Sequence, residues 1–133
     1  MKKLILISAL LLVASNSWAY SETDLGQVKA VGNCIRCDLS GADLTGVDLF
    51  AADLTRADLT GANLRGVNLE YAILIKANLT RANFTGANLQ NAVLYRAKLR
   101  SADFTGANLR GANLEYVNFC RTKMPWGEVN DDC

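Results

Sequence analysis

From Cys37 to Arg121 a large apolar residue, Leu or Phe, returns at every fifth position without interruption. The stretch divides into seventeen five-residue units centred on Leu39, Leu44, Leu49 and onward to Leu114 and Phe119. Two residues before each centre stands Ala, Val or, once, Cys. A period of five excludes both ordinary elements. A helix turns about 100° per residue, so positions five apart spiral round its surface instead of forming a stripe. A straight strand alternates faces, so an odd period throws successive leucines to opposite sides. What remains is a chain that runs extended for a few residues, turns Ala and then Leu inward, bends over the rest of the unit and repeats. Stacked circuits of such a coil bury one continuous core, which makes the chain an all-β solenoid.

Slower rhythms give the number of sides. Gly46, Gly66, Gly86 and Gly106 recur at twenty, as do Val47 with Val67 and Phe84 with Phe104. Outward positions agree: Arg56, Lys76 and Arg96; Ile73 and Val93; Ile75 and Tyr95. Three sides would require a lag of fifteen, which carries Ile73 to Asn88 and Phe84 to Leu99. Four units per circuit is the better reading.

Units such as Ala42-Asp43-Leu44-Thr45-Gly46 and Ala62-Asn63-Leu64-Arg65-Gly66 form an A(D/N)LXX pattern. Over about two thirds of the chain it resembles the pentapeptide-repeat proteins. The resemblance implies a right-handed quadrilateral β-helix with the Leu/Phe centre and the preceding Ala/Val inside. With rungs about 4.8 Å apart, about four coils make a rod of about 20 Å. The departures are Cys37 in place of Ala, and Ile73, Val93 and Lys98 where Asp or Asn is usual.

The flanks divide the chain. Residues 1–19 read as a secretory signal, with Lys2 and Lys3, an apolar run from Leu4 to Ala14, and Ser17-Trp18-Ala19 as cleavage site. The apolar run is shorter than the roughly 20 residues a membrane span needs, so no stable membrane insertion is expected after cleavage. The expected location is the periplasm or an equivalent exported compartment. Residues 20–36 read as an N-terminal cap with a short helix, Ser21 its N-cap and Glu22 and Asp24 in its first turn. Residues 37–121 form the β-helix, and 122–133, which leave the repeat, a C-terminal capping tail. Caps of this kind block the open edges of a coil.

Four cysteines in an exported chain suggest two disulfides. Cys34 and Cys37 lie at one end of the rod and Cys120 and Cys133 at the other, and bridged Cα atoms must lie within about 7 Å. The pairing expected is Cys34 with Cys37 and Cys120 with Cys133. Cys34-Ile35-Arg36-Cys37 also spells a C-x-x-C, so a thiol-redox role or half a zinc site is an alternative.

The chain has no His. Its carboxylates are spread over repeat exteriors, so no nucleophile, base and orienter arrangement is visible and no enzyme, metal or cofactor is expected. The formal net charge is +1, and −1 once Lys2 and Lys3 are removed with the signal. That sum suggests no nucleic-acid partner. Charge does separate along the axis: residues 37–61 carry five Asp against Arg56, and residues 62–121 carry eight basic against three acidic side chains.

One side, that of Leu54, Leu74, Leu94 and Leu114, turns Ile73, Ile75, Val93 and Tyr95 outward on adjacent rungs, with Tyr71 and Tyr116 as neighbours and Arg56, Lys76 and Arg96 along its edge. Exposed apolar clusters mark contacts. The readings are a protein partner or self-association through this side, or cover by a terminal segment. The function expected is a structural or protein-interaction module. The alternative that the resemblance implies is mimicry of DNA toward a topoisomerase, as in quinolone-resistance members, which calls for a longer, acidic, cytoplasmic rod.

Overall fold

One backbone hydrogen bond closes the bend of the units from Cys34 to Leu109 and at Phe119. The Ala42 N–H donates to the Leu39 carbonyl, that of Ala62 to Leu59 and that of Ala82 to Leu79, each at 3.0 Å. The third residue of such a turn has a positive φ, as a type II turn requires. Glycine holds that place at Gly46, Gly66, Gly86 and Gly106. Elsewhere ordinary residues hold it, among them Arg36, Arg56, Lys76 and Arg96 with φ of 59°, 58°, 56° and 58°. A left-handed L-residue costs about 1–2 kcal/mol, so the stacking of the coil has to enforce these corners.

Each unit also bonds to the units one circuit before and after it. The Leu79 N–H reaches the Lys98 carbonyl (2.8 Å), the Arg81 N–H that of Arg100 (2.9 Å), and the Asn78 N–H that of Ala57 (2.9 Å). Parallel bridges join residues twenty apart from Asp38 with Asp58 to Asp103 with Lys123. The computed structural model, which describes residues 20–131 and 133, is therefore a four-sided parallel coil. The export signal read at 1–19 lies outside the described residues. Side 1 is centred on Leu39, Leu59, Leu79, Leu99 and Phe119; side 2 on Leu44, Leu64, Phe84 and Phe104; side 3 on Leu49, Leu69, Leu89 and Leu109; side 4 on Leu54, Leu74, Leu94 and Leu114.

The centres and the Ala or Val behind them stack into one core. Every centre from Leu39 to Phe104 is buried, and Phe84 and Phe104 lie face to face with ring centroids 4.6 Å apart. Leu109, Leu114 and Phe119, on the last circuit, are only partly buried. Outside the core, the Asp or Asn before each centre folds back on its own unit. Asn78 Oδ1 accepts the Thr80 N–H (3.2 Å) and hydroxyl (2.7 Å), and Asp53 Oδ1 does the same for Thr55 (3.0 and 2.6 Å). These Asx turns satisfy an amide that the coil itself leaves open. On side 3 the amides also bond along the stack, Asn68 Nδ2 to Asp48 Oδ1 at 2.9 Å and Asn108 Nδ2 to Asn88 Oδ1 at 3.2 Å.

The coil is longer than the sequence boundaries suggest. Gly32 to Arg36 form a unit below Cys37, with Cys34 fully buried at the Leu position of side 4 and its N–H bonded to the Asp53 carbonyl (2.8 Å). At the far end Thr122 to Met124 do not leave the repeat. Met124 is a buried centre on side 2, and Thr122 fills the Ala position, its hydroxyl donating to the Leu99 carbonyl at 2.7 Å. Cys, Met and Thr fit the inward space while hiding the Ala-x-Leu spelling.

Helix α1, Glu22–Val31, precedes the first unit, with the Ser21 side chain accepting the Asp24 N–H (3.2 Å) and Gly32 ending it at φ 78°. It buries Val28 and supplies what the missing circuit below Asp38 would give. The Ser21 N–H donates to the Asp38 carbonyl (3.0 Å), and Asp24 Oδ2 accepts the Asp38 N–H (2.8 Å). The last strand of the coil, β1 (Thr122–Met124), pairs antiparallel with β2 (Gly127–Val129) across a turn at Pro125 and Trp126, covering the edge of side 2.

Candidate functional site

At every unit from Asp38 to Asn118 that has Asp or Asn before its centre, the residue after the centre donates its N–H to that Oδ1, as at Thr45, Gln90 and Cys120. Three units depart from Asx at that place, with Ile73, Val93 and Lys98. Among the described residues the N–H groups of Ile75, Tyr95 and Arg100 accordingly have no acceptor. The sequence departures thus mark open backbone donors on side 4 and side 1. Reading the departures only as outward apolar residues misses this consequence.

Side 4 brings the apolar candidates together. Ile73 and Val93 are bridged, Ile75 and Tyr95 stand one circuit apart, and all four are partly exposed. Tyr95 packs edge-on against Tyr116 (5.5 Å), which is 75% exposed, and the Arg96 guanidinium lies over both rings at 5.2 and 5.8 Å. Lys76 and Arg56 continue the cationic edge on the rungs below, both exposed. Tyr71 is half exposed and meets Phe50 edge-on at 5.8 Å, extending the aromatic surface round the corner to side 3. Phe50, and Ile35 at the foot of side 4, are further exposed apolar residues that the sequence reading passed over; a large apolar residue directly after a centre is the signal for both.

The cysteines are bridged as Cys34 with Cys37 (Cα–Cα 5.3 Å) and Cys120 with Cys133 (4.8 Å). Both sulfurs of the C-x-x-C are in buried residues, and Cys34 Sγ lies 3.5 Å from the carbonyl oxygen of Asp24 in the first turn of α1. Burial and the Asp24 carbonyl and carboxylate beside the sulfurs both disfavour a thiolate, so this geometry does not suit redox exchange. Asp24, Cys34 and Cys37 bring their ligating atoms within 4.8 Å of one another, but bridged sulfurs have no thiolate to offer a metal.

Among the described residues two shallow depressions stand out. One of about 540 Å³ runs along the glycine corner of side 2 past Thr45, Gly46, Arg65, Gly66 and Gly86, where the missing side chains leave the space. The other, of about 400 Å³, lies on side 1 between Asn78, Thr80, Lys98, Arg100 and Asn118. Among the described residues no helix is long and apolar enough to cross a membrane.

A repeat profile described as pentapeptide repeats matches in eight copies over residues 33–66, 62–100 and 87–124. The chain belongs to the pentapeptide-repeat family. Membership makes the four-sided coil a right-handed quadrilateral β-helix and places the chain among structural and binding modules that are generally not enzymes. This pentapeptide-repeat protein is similar to HetL, involved in heterocyst differentiation regulation in the cyanobacterium Nostoc sp. strain PCC 7120, at 35% identity over 73% of this chain and 51% of HetL, with a TM-score of 0.38. It thus spans about half the length of HetL. It is also similar to a pentapeptide repeat protein of the Arabidopsis thaliana thylakoid lumen, at 30% identity over 80% of this chain and 74% of that one, TM-score 0.40. A third similarity is to QnrB1, a plasmid-mediated fluoroquinolone resistance protein, at 19% identity over 74% of this chain and 75% of that one, TM-score 0.27. No curated protein sequence matches the chain.

Proposed function

We propose that this pentapeptide-repeat protein is an exported interaction module that holds a protein partner, or a second copy of itself, against side 4. The observation that carries the reading is the coincidence there of partly exposed Ile73, Ile75, Val93 and Tyr95 with the open N–H groups of Ile75 and Tyr95. A partner segment laid on this side covers the apolar groups and brings carbonyl oxygens to the two donors, the combination used in strand addition. Arg56, Lys76 and Arg96 select for an acidic flank on the partner. Export is supported by the signal-like residues 1–19 and by four cysteines paired as in an oxidising compartment.

The test places a photoreactive residue at position 75 in the exported protein and identifies what it traps. Ile75→Asp puts a charge at the centre of the surface without touching the core. It is expected to abolish capture and self-association while leaving the melting temperature unchanged; intact capture or oligomeric state in Ile75→Asp contradicts the reading.

A further inference from the structure

Side 1 carries a different arrangement at its Lys98 unit. Elsewhere on this side an Asx oxygen takes the open amide: Asp58 accepts from Thr60 (3.0 Å) and Asn78 from Thr80 (3.2 Å). At Lys98 the acceptor has become a cation, and the N–H of Arg100, which lines the depression, has no acceptor among the described residues. Lys98 and Arg100 are both exposed, and neither has an ion-pair partner among the described residues. Asn78, Thr80 and Asn118 complete the lining. Lys76 and Arg96 stand at one corner of the side and Arg81 and Arg121 at the other, and no carboxylate falls within residues 76–81, 96–101 or 116–121.

From this geometry we infer that the depression on side 1 is an oxyanion site that takes a phosphate group. A phosphate oxygen occupies the place an Asx Oδ1 holds in the other units and accepts the Arg100 N–H. The remaining oxygens meet the Lys98 ammonium and the Arg100 guanidinium, whose donors match phosphate geometry. The surrounding positive field favours a dianion over a monoanion and draws it to this side. None of the lining residues belongs to the side 4 surface, and only the flanking Lys76 and Arg96 are shared with its edge.

The internal control is Lys123. It also stands before a buried centre, Met124, but is followed by Pro125, which has no N–H to donate. Titration of the full exported protein with inorganic phosphate, followed by amide NMR at ionic strength held constant with chloride, is expected to give a saturable shift centred on the Arg100 amide. Lys98→Asn restores the ordinary unit, so it keeps the fold while removing the cation and occupying the N–H. It should weaken phosphate binding by about tenfold or more, whereas Lys123→Asn should leave it unchanged. A glycerol phosphate arm shows whether the site accepts a monoester as well as the free ion, and binding of either supports the inference. No saturable shift in the wild-type protein, equal binding in Lys98→Asn, or equal loss in Lys123→Asn overturns it, the last because it reduces the effect to overall charge.

Discussion

Asp and Asn exchange freely before the buried centres because a single oxygen is what the unit needs. Asp43 Oδ1 takes the Thr45 N–H and hydroxyl at 3.0 and 2.6 Å, and Asn83 Oδ1 takes those of Thr85 at the same distances. The carboxylates add a pH dependence that the amides lack. The Thr45 hydroxyl, then its N–H, hold the Asp43 carboxyl below the usual range, with a smaller effect of Lys29. The Thr105 hydroxyl does the same for Asp103, followed by the Thr105 N–H and Lys123, against the opposing effect of burial. A carboxyl whose pKa falls on folding adds stability that is complete above its unfolded pKa and is lost as the pH falls through the folded one. Thermal melts should therefore hold above about pH 5 and drop as the pH falls below about 4. The double variant Asp43→Asn, Asp103→Asn should drop less, because it keeps the acceptors and removes two of the titrating groups. An unchanged drop in that variant would contradict the assignment. At this scale Lys98 was legible in the sequence as a departure from pattern, but its meaning was not. An amide without an acceptor becomes visible only when the backbone bonds are known.

The elements that end the rod show where sequence patterns lose their grip. Helix α1 could be read from Ser21, Glu22 and Asp24, because capping is a local matter of side chain and backbone. Its role was not local: the Asp24 carboxylate takes the N–H of Asp38, fourteen residues on. The first and last units escaped the five-residue count because Cys34, Thr122 and Met124 satisfy the interior by volume and not by spelling. At the C-terminal end, the Cys120–Cys133 bridge spans thirteen residues and holds β2 and the tail against the last circuit. The Cys120→Ser, Cys133→Ser variant should lose about 3 kcal/mol in urea unfolding, the value for closing a loop of this size. Hydrogen exchange should locate the loss: amides of 119–129 should speed up first, with those around Leu79 tracking global unfolding. Loss of protection spread evenly along the coil would contradict a local clasp.

Across the whole molecule, the charge separation read along the chain acquires a second dimension once the circuits are stacked. The cations of the C-terminal half gather on side 1 and its two corners, while the apolar departures gather on side 4, so neighbouring walls of one rod offer different chemistry. Four-sidedness was legible because bulky and odd residues recur at twenty: Phe84 under Phe104 and Ile73 under Val93 need matching neighbours on adjacent rungs. Everything assigned to a wall rests on that circuit. The most direct test is the through-hydrogen-bond scalar coupling between the Leu79 amide nitrogen and its carbonyl partner in uniformly labelled protein. A square circuit places the Lys98 carbonyl oxygen 2.8 Å from that nitrogen and predicts a coupling to the Lys98 carbonyl carbon. A coupling to Val93 instead, as a circuit of fifteen requires, or a Leu79 amide that exchanges as fast as an open one, would contradict the account.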